Sequence, residues 1–399
     1  MKALPGRRRR VLIIVENLPL PFDRRVWQEA LALRDNGYEV SIICPKGRGH
    51  LSSYEFLEDI HIHRHPLPVE ADSAVGYGLE YGLSLFWEFV LSIRIALGRG
   101  FDVIHACNPP DTIFIIASFF KLFGKRFIFD HHDINPELYE AKFQRRDFWY
   151  RVLCRLERWT FATADVSIAT NESYRRIAVE RGRMDPSRVF VVRSGPDLRR
   201  VRRVPPQPAL RRGRKYLVGY VGVIGKQEGL DLLLEAVAYL RRDLGRDDVH
   251  FAIIGSGTEV PALQAMSRKL GLEDCVEFTG RVSDHDLWEI LGTADVCVNP
   301  DRANEMNDKS TMNKILEYMA LGKPIVQFDL TEGRYSAGDA SLYARPDDVA
   351  DFARKLAQLL DDPGLRARMG EVGRNRVEGE LAWHHQVPRL LSAYRAALG

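Results

Sequence analysis

The chain has 399 residues, and its 57 lysines and arginines stand against 54 aspartates and glutamates, a formal net charge of +3. Hydrophobic residues make up 45% and charged residues 28%, proportions that are ordinary for a soluble globular protein. They exclude a wholly disordered chain, a fibrous repeat and a small disulfide scaffold, and the length predicts two domains or three at roughly 100–200 residues per domain.

The cysteines and the apolar runs bear on the compartment. The five cysteines form no CxxC pair and no zinc-type cluster with histidine, so we expect reduced thiols and no metal. The basic N-terminus precedes an apolar run, residues 11–15, that is short for a signal peptide. No run reaches the roughly 18–20 apolar residues of a membrane span. These features predict a cytoplasmic protein.

Short apolar segments alternate with segments of helical periodicity. Continuous β-branched runs of this kind are typical of a parallel sheet that is buried on both faces. The first helix is predicted over residues 22–36, followed by Gly37 as a C-cap. The predicted strands are residues 11–15, 39–43, 60–64, 102–106, 126–130, 166–169 and 189–193, and then 217–221, 249–254, 276–278, 295–299 and 324–328.

A segment of different composition separates the two series of strands. Residues 194–215 carry four prolines and no apolar periodicity, which predicts a linker. The chain therefore reads as α/β, with two tandem Rossmann-like domains facing a cleft, an arrangement that supports transfer between two bound molecules. The predicted parts are an N-terminal domain (1–195), a basic linker (196–215), a C-terminal domain (216–378) and a C-terminal helix (379–399) that can pack back on the N-terminal domain.

The first predicted helix begins with charged residues. Asp23 can cap the helix through its carboxylate. Arg24 or Arg25 can instead face the cleft and bind an anionic group of a substrate. The two interpretations are compatible with the same helix start.

The fifth predicted strand is followed by His131, His132 and Asp133. A metal site is one interpretation, but adjacent residues rarely converge on one ion and no distant third ligand is indicated. A histidine packed in the core is another. Asp133 and Glu137 can contact an acceptor molecule or cap the helix that follows.

Residues 175–215 hold 14 lysines and arginines against three acids. Nucleic acid is one possible partner, but aromatic residues are not interleaved and no nucleic-acid-binding motif occurs, so we expect none. A solvated linker and attraction to an anionic membrane surface or a phosphorylated lipid are the other interpretations. An aromatic-rich helix over residues 77–97, with Tyr77, Tyr81, Phe86 and Trp87, favours peripheral contact with the inner face of a membrane, although core packing also explains such a stripe.

Residues 220–235 place a strand, a glycine loop and a helix in succession. Gly222 and Gly225 let the backbone approach a phosphate closely, and Lys226 is the cation of this loop. We predict that Lys226 contacts a phosphate. A tight turn between a strand and a helix is the structural alternative.

Residues 308–326 place a polar loop, a helix and a strand in succession. A helix that begins near residues 310–313 offers free amides and a partial positive charge, which suit a diphosphate. Glu317, two turns further on, can accept hydrogen bonds from a ribose diol. A surface helix with a Lys314–Glu317 pair is the alternative. The predicted nucleotide contacts here are Ser310, Thr311, Met312, Asn313 and Glu317.

The stretch ILEYMALGKPIV, residues 315–326, resembles the signature of the family 4 retaining glycosyltransferases of GT-B fold. The resemblance implies that Glu317 holds the nucleotide ribose. Glu317 corresponds to the second of two family glutamates. The first, eight positions earlier, touches the donor sugar in the family, and Lys309 stands there in this chain. Glu305, Asn307 and Asp308 are candidates to replace it.

Other positions follow the same resemblance. The glycine loop resembles a family loop in which an arginine and a lysine neutralise the diphosphate, but Val223 and Glu228 stand at those positions. Lys226, Lys309 or Lys314 then supplies the charge. The resemblance places Arg281 at the nucleobase, and it places His132 against the donor sugar, where it stabilises positive charge near the anomeric carbon.

The resemblance therefore implies a metal-independent transferase without a cofactor, with a nucleotide-sugar as donor substrate. The expected reaction moves a hexose-type sugar from a UDP-sugar to a saccharide or lipid-linked acceptor, with retention, in polysaccharide or glycan assembly. The expected catalytic residues are His132, Glu317 and Lys226, and Asp133, Arg24 and Lys309 are expected near the sugar or acceptor. The rivals are a GT-B epimerase or phosphorylase, an oxidoreductase, which lacks GxGxxG after the first strand, and a non-catalytic binding protein.

Overall fold

The structure, a computed structural model, describes residues 8–66 and 74–399, with side chains described outside residues 74–81. The chain divides into two units, residues 1–192 together with 386–399, and residues 193–385. Residues 196–215, the predicted linker, are counted in the second unit. The C-terminal helix contributes its residues from 386 onward to the first unit.

The first unit is built on an eight-stranded sheet in the order β3-β4-β2-β1-β5-β6-β7-β8. All neighbouring strands are parallel except β3 and β4, which are antiparallel. Side chains such as Leu12 and Ile104 are fully buried because helices cover both faces. The strands are β1 Arg10–Ile14, β2 Glu39–Pro45, β3 Tyr54–Leu57, β4 Ile60–His65, β5 Val103–Cys107, β6 Arg126–His131, β7 Val166–Ala169 and β8 Val189–Val191.

Helices connect these strands and supply the covering layers. The first begins where Asp23 accepts a hydrogen bond from the backbone of Val26, and it ends before Gly37, whose φ is +86°. The helices are α1 Arg24–Asp35, α2 Ala74–Leu97, α3 Phe114–Lys121, α4 Asn135–Phe143, α5 Phe148–Thr163 and α6 Glu172–Glu180.

The second unit has a six-stranded, wholly parallel sheet in the order β11-β10-β9-β12-β13-β14. Its strands are β9 Tyr216–Val221, β10 Val249–Ile254, β11 Val276–Gly280, β12 Val296–Asn299, β13 Ile325–Phe328 and β14 Ser341–Ala344. Its helices, followed by the helix that ends the chain, are α7 Leu230–Arg242, α8 Val260–Lys269, α9 Asp284–Thr293, α10 Glu305–Lys309, α11 Asn313–Ala320, α12 Thr331–Ala337, α13 Val349–Asp361, α14 Pro363–Arg376 and α15 Trp383–Leu398.

The predicted α/β class with two parallel sheets is confirmed. Among the parallel strands of each sheet the order reverses once, between β1 and β5 in the first unit and between β9 and β12 in the second. Ligands of open parallel sheets bind at such switch points, outside the carboxyl ends of the strands. Within the described parts of the chain, no helix combines the length and the apolar character that crossing a bilayer requires.

Candidate functional site

In the first unit, a buried charged cluster lies at the carboxyl ends of the central strands. Its centre is the side chain of Arg25, which is bracketed by Glu29 one helical turn away and by Asp130 of β6. The Arg25 guanidinium lies 3.1 Å from Glu29 and 3.2 Å from Asp130. It also donates to the carbonyl oxygen of Val192 at 2.9 Å. Arg24, the residue predicted to bind substrate, is exposed at the start of α1, and Arg25 is the one that enters the cluster.

The two carboxylates of the cluster share one neighbouring cation, and their pKa values move apart. Burial alone would raise the pKa of Asp130, but Arg25 and the neighbouring histidines hold it well below its usual range. Burial and the charge of Asp130 raise the pKa of Glu29 well above its usual range. Asp130 therefore carries the negative charge that Arg25 balances, and Glu29 is neutral.

His132 follows β6, and its ring belongs to the same cluster. Its Nε2 lies 2.7 Å from Asp130 Oδ2 and accepts from Arg25 Nε at 2.8 Å. One nitrogen cannot donate to Asp130 and accept from Arg25 at once, so the two partners compete for the position of the ring proton. The backbone amide of His132 donates to Asn108 Oδ1 at 2.6 Å. The backbone and the ring are thus both fixed.

A further hydrogen-bonded pair lies behind Asp130. His105 on β5 lies 3.2 Å from Asp130 through Nε2 and 2.7 Å from the Tyr394 hydroxyl through Nδ1. Burial lowers the pKa of His105, which is therefore neutral. Since ionised Asp130 can only accept, Nε2 carries the proton and Tyr394 donates to Nδ1. The chain of contacts runs from helix α15 to His132.

Four possible metal ligands approach one another in this cluster: Glu29, His105, Cys107 and Asp130. The Arg25 guanidinium already occupies the position of the positive charge there. The metal interpretation of the His131–Asp133 stretch is not supported by the geometry, because neighbouring residues of a strand point to opposite faces. His131 is buried on the other side, 3.3 Å from Glu157.

The remaining predicted residues of the first unit have structural partners. Asp133 lies beside Asn108, which binds both its backbone amide and its carbonyl oxygen, and burial raises the pKa of its carboxyl group. Glu137 is buried and forms an ion pair with Arg181 at 2.7 Å.

In the second unit, two glycine loops at the ends of β9 and β10 pack backbone against backbone. A Cβ on Gly255, whose φ is +140°, would lie 1.9 Å from the carbonyl oxygen of Gly222. A Cβ on Gly257 would lie 2.2 Å from the carbonyl oxygen of Ile224. Glycine is required at both positions because no side chain fits between the loops.

The cation of the first loop faces solvent. Lys226 is exposed in a single turn at residues 226–228 and forms no ion pair with any described residue. Glu228, which stands where the family has a lysine, folds back so that its carboxylate accepts from the amide of Gly225 at 3.0 Å. Burial raises the pKa of Glu228. Gly225 and Glu228 therefore close the loop and leave Lys226 on its outer side.

The polar loop before α11 is longer than the sequence predicts. Helix α10 ends at Lys309, and the hydroxyl of its C-cap residue Ser310 donates to the carbonyl oxygen of Met306. Helix α11 begins at Asn313. Its N-cap residue, Met312, makes no side-chain capping bond. Thr311 accepts from Arg193 at 3.4 Å. Glu317, half-buried, is thus one turn past the first helical residue rather than two.

A buried ion pair lies beneath this helix start. Lys314 Nζ lies 2.8 Å from Asp301 and 4.8 Å from the centre of the Tyr220 ring. Burial would lower the pKa of Lys314, but Asp301 and Tyr220 raise it above its usual value. Lys314 is therefore charged, and it pairs with Asp301 rather than with Glu317 as in the alternative interpretation of this helix.

The residues just upstream hold the loops together. Lys309 pairs with Glu305 at 2.9 Å, and the Asp308 carboxylate accepts from the backbone and hydroxyl of Thr331. Asn307 is buried and donates to the carbonyl oxygens of Gln227 and Arg302, both at 2.9 Å. Arg281 is exposed directly after β11.

Sequence reasoning missed several residues of these sites. Arg25 was an alternative to Arg24, but nothing in the sequence pointed to Asp130, His105 or Tyr394 as its companions. The spacing of Asp130 could have identified it, because it lies two residues before His132 and therefore on the same face of the strand.

The two units match two family models. Residues 23–200 match the model described as Glycosyltransferase Family 4, and residues 215–362 match the model described as Glycosyl transferases group 1. The chain belongs to the family 4 type of GT-B glycosyltransferases. The resemblance to family 4 glycosyltransferases of GT-B fold that the sequence motif indicates is thereby confirmed.

Curated relatives of this glycosyltransferase include a 2-deoxystreptamine glucosyltransferase of Streptomyces kanamyceticus, 29% identical over 46% of each chain. Another is a D-inositol 3-phosphate glycosyltransferase of Thermomonospora curvata, 31% identical over 60% of this chain and 59% of that one. The matched part thus spans about half the length of these relatives.

Solved structures share the fold of this glycosyltransferase over nearly all of its length. Sucrose-phosphate synthase from Thermosynechococcus elongatus has a TM-score of 0.78 at 17% identity, covering 97% of this chain and 98% of that one. Anabaena HepE in complex with UDP and glucose has a TM-score of 0.73 at 13% identity, covering 96% and 99%. A putative UDP-N-acetylglucosamine 2-epimerase from Listeria monocytogenes has a TM-score of 0.65 at 14% identity, covering 98% and 96%, so the fold alone does not fix the reaction.

Proposed function

We propose that this protein is a retaining glycosyltransferase that moves a sugar from a nucleotide-diphosphate donor, a UDP-sugar, to a hydroxyl of a saccharide or lipid-linked acceptor. The C1–O bond to the β-phosphate breaks, the acceptor oxygen bonds to C1, and its proton leaves with the released diphosphate. The setting we propose is cell-surface polysaccharide or glycan biosynthesis in the cytoplasm. The names of curated relatives, which include a glucosyltransferase and a D-inositol 3-phosphate glycosyltransferase, support the reaction type.

The start of α11 carries this proposal. The helix begins at Asn313 without a side-chain cap, so its first backbone amides can donate hydrogen bonds to a diphosphate. Glu317 is four residues further on, about 6 Å along the axis, on the same side as Asn313. The Ser310 amide donates to the carbonyl oxygen of Asn307 at 3.3 Å. We therefore assign the diphosphate to the loop of residues 310–313, chiefly to the amides that follow Ser310, and the ribose to Glu317.

The cations and the remaining loops complete the donor site in this proposal. Lys226 is the candidate phosphate contact because it is exposed and lacks a carboxylate partner among the described residues. Lys309 and Lys314, the other candidates, already pair with Glu305 and Asp301. A site with so little free cationic charge relies on helix amides for stabilising the leaving group.

The first unit supplies His132 in this proposal. Its ring is fixed by Asp130 and Arg25, and we assign it a hydrogen bond to the donor sugar and stabilisation of positive charge near the anomeric carbon. Lys309 in place of the family's first glutamate implies that sugar recognition differs from the family pattern. Its ion-pair partner Glu305 brings a carboxylate to that position, and we keep Glu305 as the candidate sugar contact.

A thermal-shift series tests the donor site. UDP and UDP-sugars should raise the melting temperature more than GDP-, ADP- or dTDP-sugars, since a ligand at 100 times its Kd adds about 2.7 kcal/mol to stability. Glu317→Gln should abolish most of the shift, and Glu235→Gln, an exposed glutamate on α7, serves as the matched control. Equal shifts in both variants would refute the assignment of the ribose.

A second measurement separates the rival reactions. Incubating the protein with the stabilising UDP-sugar and a panel of saccharide acceptors should yield a new glycoside whose anomeric configuration, read by NMR, equals that of the donor. Epimerised sugar in the absence of acceptor would instead establish an epimerase. Binding without turnover for every acceptor, lipid-linked saccharides included, would favour a non-catalytic binding protein.

A further inference from the structure

Helix α2 has its polar side inward and its apolar side outward. Ser84, Glu88 and Ser92, spaced four residues apart, are buried, and their side-chain oxygens have no hydrogen-bond partner among the described residues. Burial and the nearby Glu16 raise the pKa of Glu88 well above its usual value, so the carboxyl group is neutral. The opposite side exposes Leu83, Phe86, Trp87, Val90 and Leu97. A helix at a water-facing surface normally shows the reverse pattern.

Helix α3 continues the exposed apolar surface. Ile115, Phe119 and Leu122 lie within one side of this helix and its last turn, and Phe123 follows them. Leu122 is 82% exposed, as much as an unpacked side chain. The Phe119 ring packs edge-on against Phe89 of α2, with ring centres 5.1 Å apart. The exposed sides of α2 and α3 are therefore neighbours.

Helix α5 adds aromatic and cationic side chains to the same surface. Phe148, Arg151, Arg155, Arg158 and Trp159 are exposed, and their spacing of three and four residues places them on one side of the helix. The Trp159 ring centre lies 5.9 Å from that of Phe114 on α3. Here we name the exposed side chains of these three helices the docking face; they are Leu83, Phe86, Trp87, Val90, Leu97, Ile115, Phe119, Leu122, Phe123, Phe148, Arg151, Arg155, Arg158 and Trp159.

The docking face carries positive charge without matching negative charge. Arg151, Arg155 and Arg158 form no ion pair with any described residue. Within the described side chains of α2, α3 and α5, the acids are Glu88 and Glu157, and both are buried. Glu157 is bound by Arg181 from α6's end and is unavailable to the arginines of α5. Within these three helices an anionic surface would therefore meet no exposed carboxylate among the described side chains.

The arginine-rich segment 175–215, from which the sequence predicts membrane attraction, differs in this respect. Its arginines are largely paired: Arg193 with Glu332, Arg211 with Asp295, and Arg212 with Glu277. Arg214 likewise pairs with Asp274. Other cations of the segment, such as Arg176, Arg183 and Arg202, are exposed and form no ion pair with a described residue. The segment differs from α5 in its surroundings, because none of its described large apolar side chains is exposed.

We propose that the docking face binds the surface of an anionic lipid bilayer. The apolar side chains of α2 and α3 enter the boundary between headgroups and acyl chains, and the α5 arginines contact lipid phosphates. We expect the docking face to be covered rather than left in water, because contiguous exposed apolar patches mark interaction sites in soluble proteins. Lipid fits better than a protein partner because arginines without an ion pair to any described residue lie next to exposed tryptophan and phenylalanine, a combination typical of membrane interfaces. Tyr77 and Tyr81, which the sequence adds to this helix, have side chains outside the described part.

Co-sedimentation with vesicles tests the proposal on the full chain. The protein should pellet with vesicles of phosphatidylglycerol and phosphatidylcholine in equal parts, weakly with phosphatidylcholine alone, and less at high salt. Replacing Arg151, Arg155 and Arg158 together by Gln should weaken partitioning to the anionic vesicles by roughly 100-fold, at about 1 kcal/mol per arginine. Leu122→Ser with Phe123→Ser should lower partitioning to both kinds of vesicle.

A matched control removes the same charge elsewhere. Arg242, Arg268 and Lys269 are exposed on the second unit, and their joint replacement by Gln should leave partitioning unchanged. An equal loss in this control, or no binding of the unaltered protein to anionic vesicles, would overturn the proposal. So would self-association in sedimentation equilibrium that Leu122→Ser with Phe123→Ser abolishes and vesicles do not displace, because a second copy would then occupy the face. This inference does not rest on the glycosyl transfer proposed above, since partitioning is measured without substrate.

Discussion

The ends of the strands are used differently in the two units. In the first, Arg25, Asp130 and His132 satisfy one another in a buried cluster at the end of β6. In the second, the loop before α11 reaches a helix start without a side-chain cap. The first arrangement fixes one ring in place, and the second presents backbone amides to a ligand.

The two units differ in which groups neutralise their buried charges. A buried charge is tolerated only if a partner neutralises it, so the cluster around Arg25 is sensitive to the loss of any member. Near α11 the buried charges, Lys314 and Asp301, neutralise each other beneath the helix, and the groups assigned to the ligand stay on the outside. We therefore expect substitutions in the first unit to affect stability and turnover together, and substitutions in the second to affect binding alone.

The largest effect should follow loss of both carboxylates around Arg25. Asp130→Asn alone lets Glu29 ionise in its place, because the charge of Asp130 is one cause of the raised pKa of Glu29. Asp130→Asn with Glu29→Gln leaves Arg25 buried without a counter-charge, which should lower the free energy of unfolding by about 3–5 kcal/mol. Urea unfolding of the single and double variants measures this. If the two substitutions lowered the free energy of unfolding only slightly and additively, Arg25 would have to be solvated by water in the double variant, and the cluster would not be sealed from solvent.

His132→Ala should lower the rate of glycosyl transfer by roughly 10²–10³-fold, the typical effect of removing one group that stabilises transition-state charge. The thermal shift with UDP should stay unchanged, since the nucleotide is assigned to the second unit. His285→Ala, an exposed histidine on α9, is the control. A lost UDP shift in His132→Ala, with normal turnover at saturating donor, would reverse the division of labour between the units.

Glu317→Gln should weaken UDP binding by roughly 10–100-fold, the effect of losing hydrogen bonds to a charged acceptor. Its free energy of unfolding should match that of the unaltered protein within about 0.5 kcal/mol, because glutamine keeps the size and the accepting oxygen of this half-buried side chain. Calorimetric titration with UDP and urea unfolding check the two halves of this prediction. A large loss of stability would place Glu317 in the fold rather than in the site.

The strands could be predicted because they are continuous apolar runs between turn signals, and all twelve predicted strands occur. Strand β3 was missed because its four residues are half-buried or exposed and pair on one edge only. Strand β14 was missed because it is a short segment, Ser341–Ala344, at the other sheet's edge. Edge strands leave a weaker pattern than central ones because fewer of their side chains are buried.

The site could be predicted in part. The motif around Glu317 predicts the helix but not the residue at which it begins. The hydrogen bond from the Ser310 hydroxyl to Met306 holds residue 310 at the end of α10, and such a local bond leaves no periodic pattern in the sequence. Which of two adjacent arginines turns inward depends on the phase of α1 against the sheet. The contact between His105 and Tyr394 joins residues 289 positions apart, and no short pattern encodes it.

Tyr394→Phe should have the smallest effect and tests how far the cluster extends. The hydroxyl donates to Nδ1 of neutral His105, whose Nε2 proton faces Asp130, so its loss leaves a buried acceptor unmatched and costs about 1–3 kcal/mol of stability. Nitrogen NMR of the imidazole should show His105 in the Nε2-protonated form in the unaltered protein and a mixture of forms in the variant.

Because His105 and His132 bind the same carboxylate oxygen of Asp130, the maximum rate of transfer should fall several-fold while the affinity for UDP is kept. Tyr38→Phe, which removes the hydroxyl of the ring packed against Tyr394 and keeps that ring, is the control for losing a tyrosine hydroxyl beside the cluster. An unmixed His105 tautomer in Tyr394→Phe would confine the cluster to Arg25, Asp130 and His132.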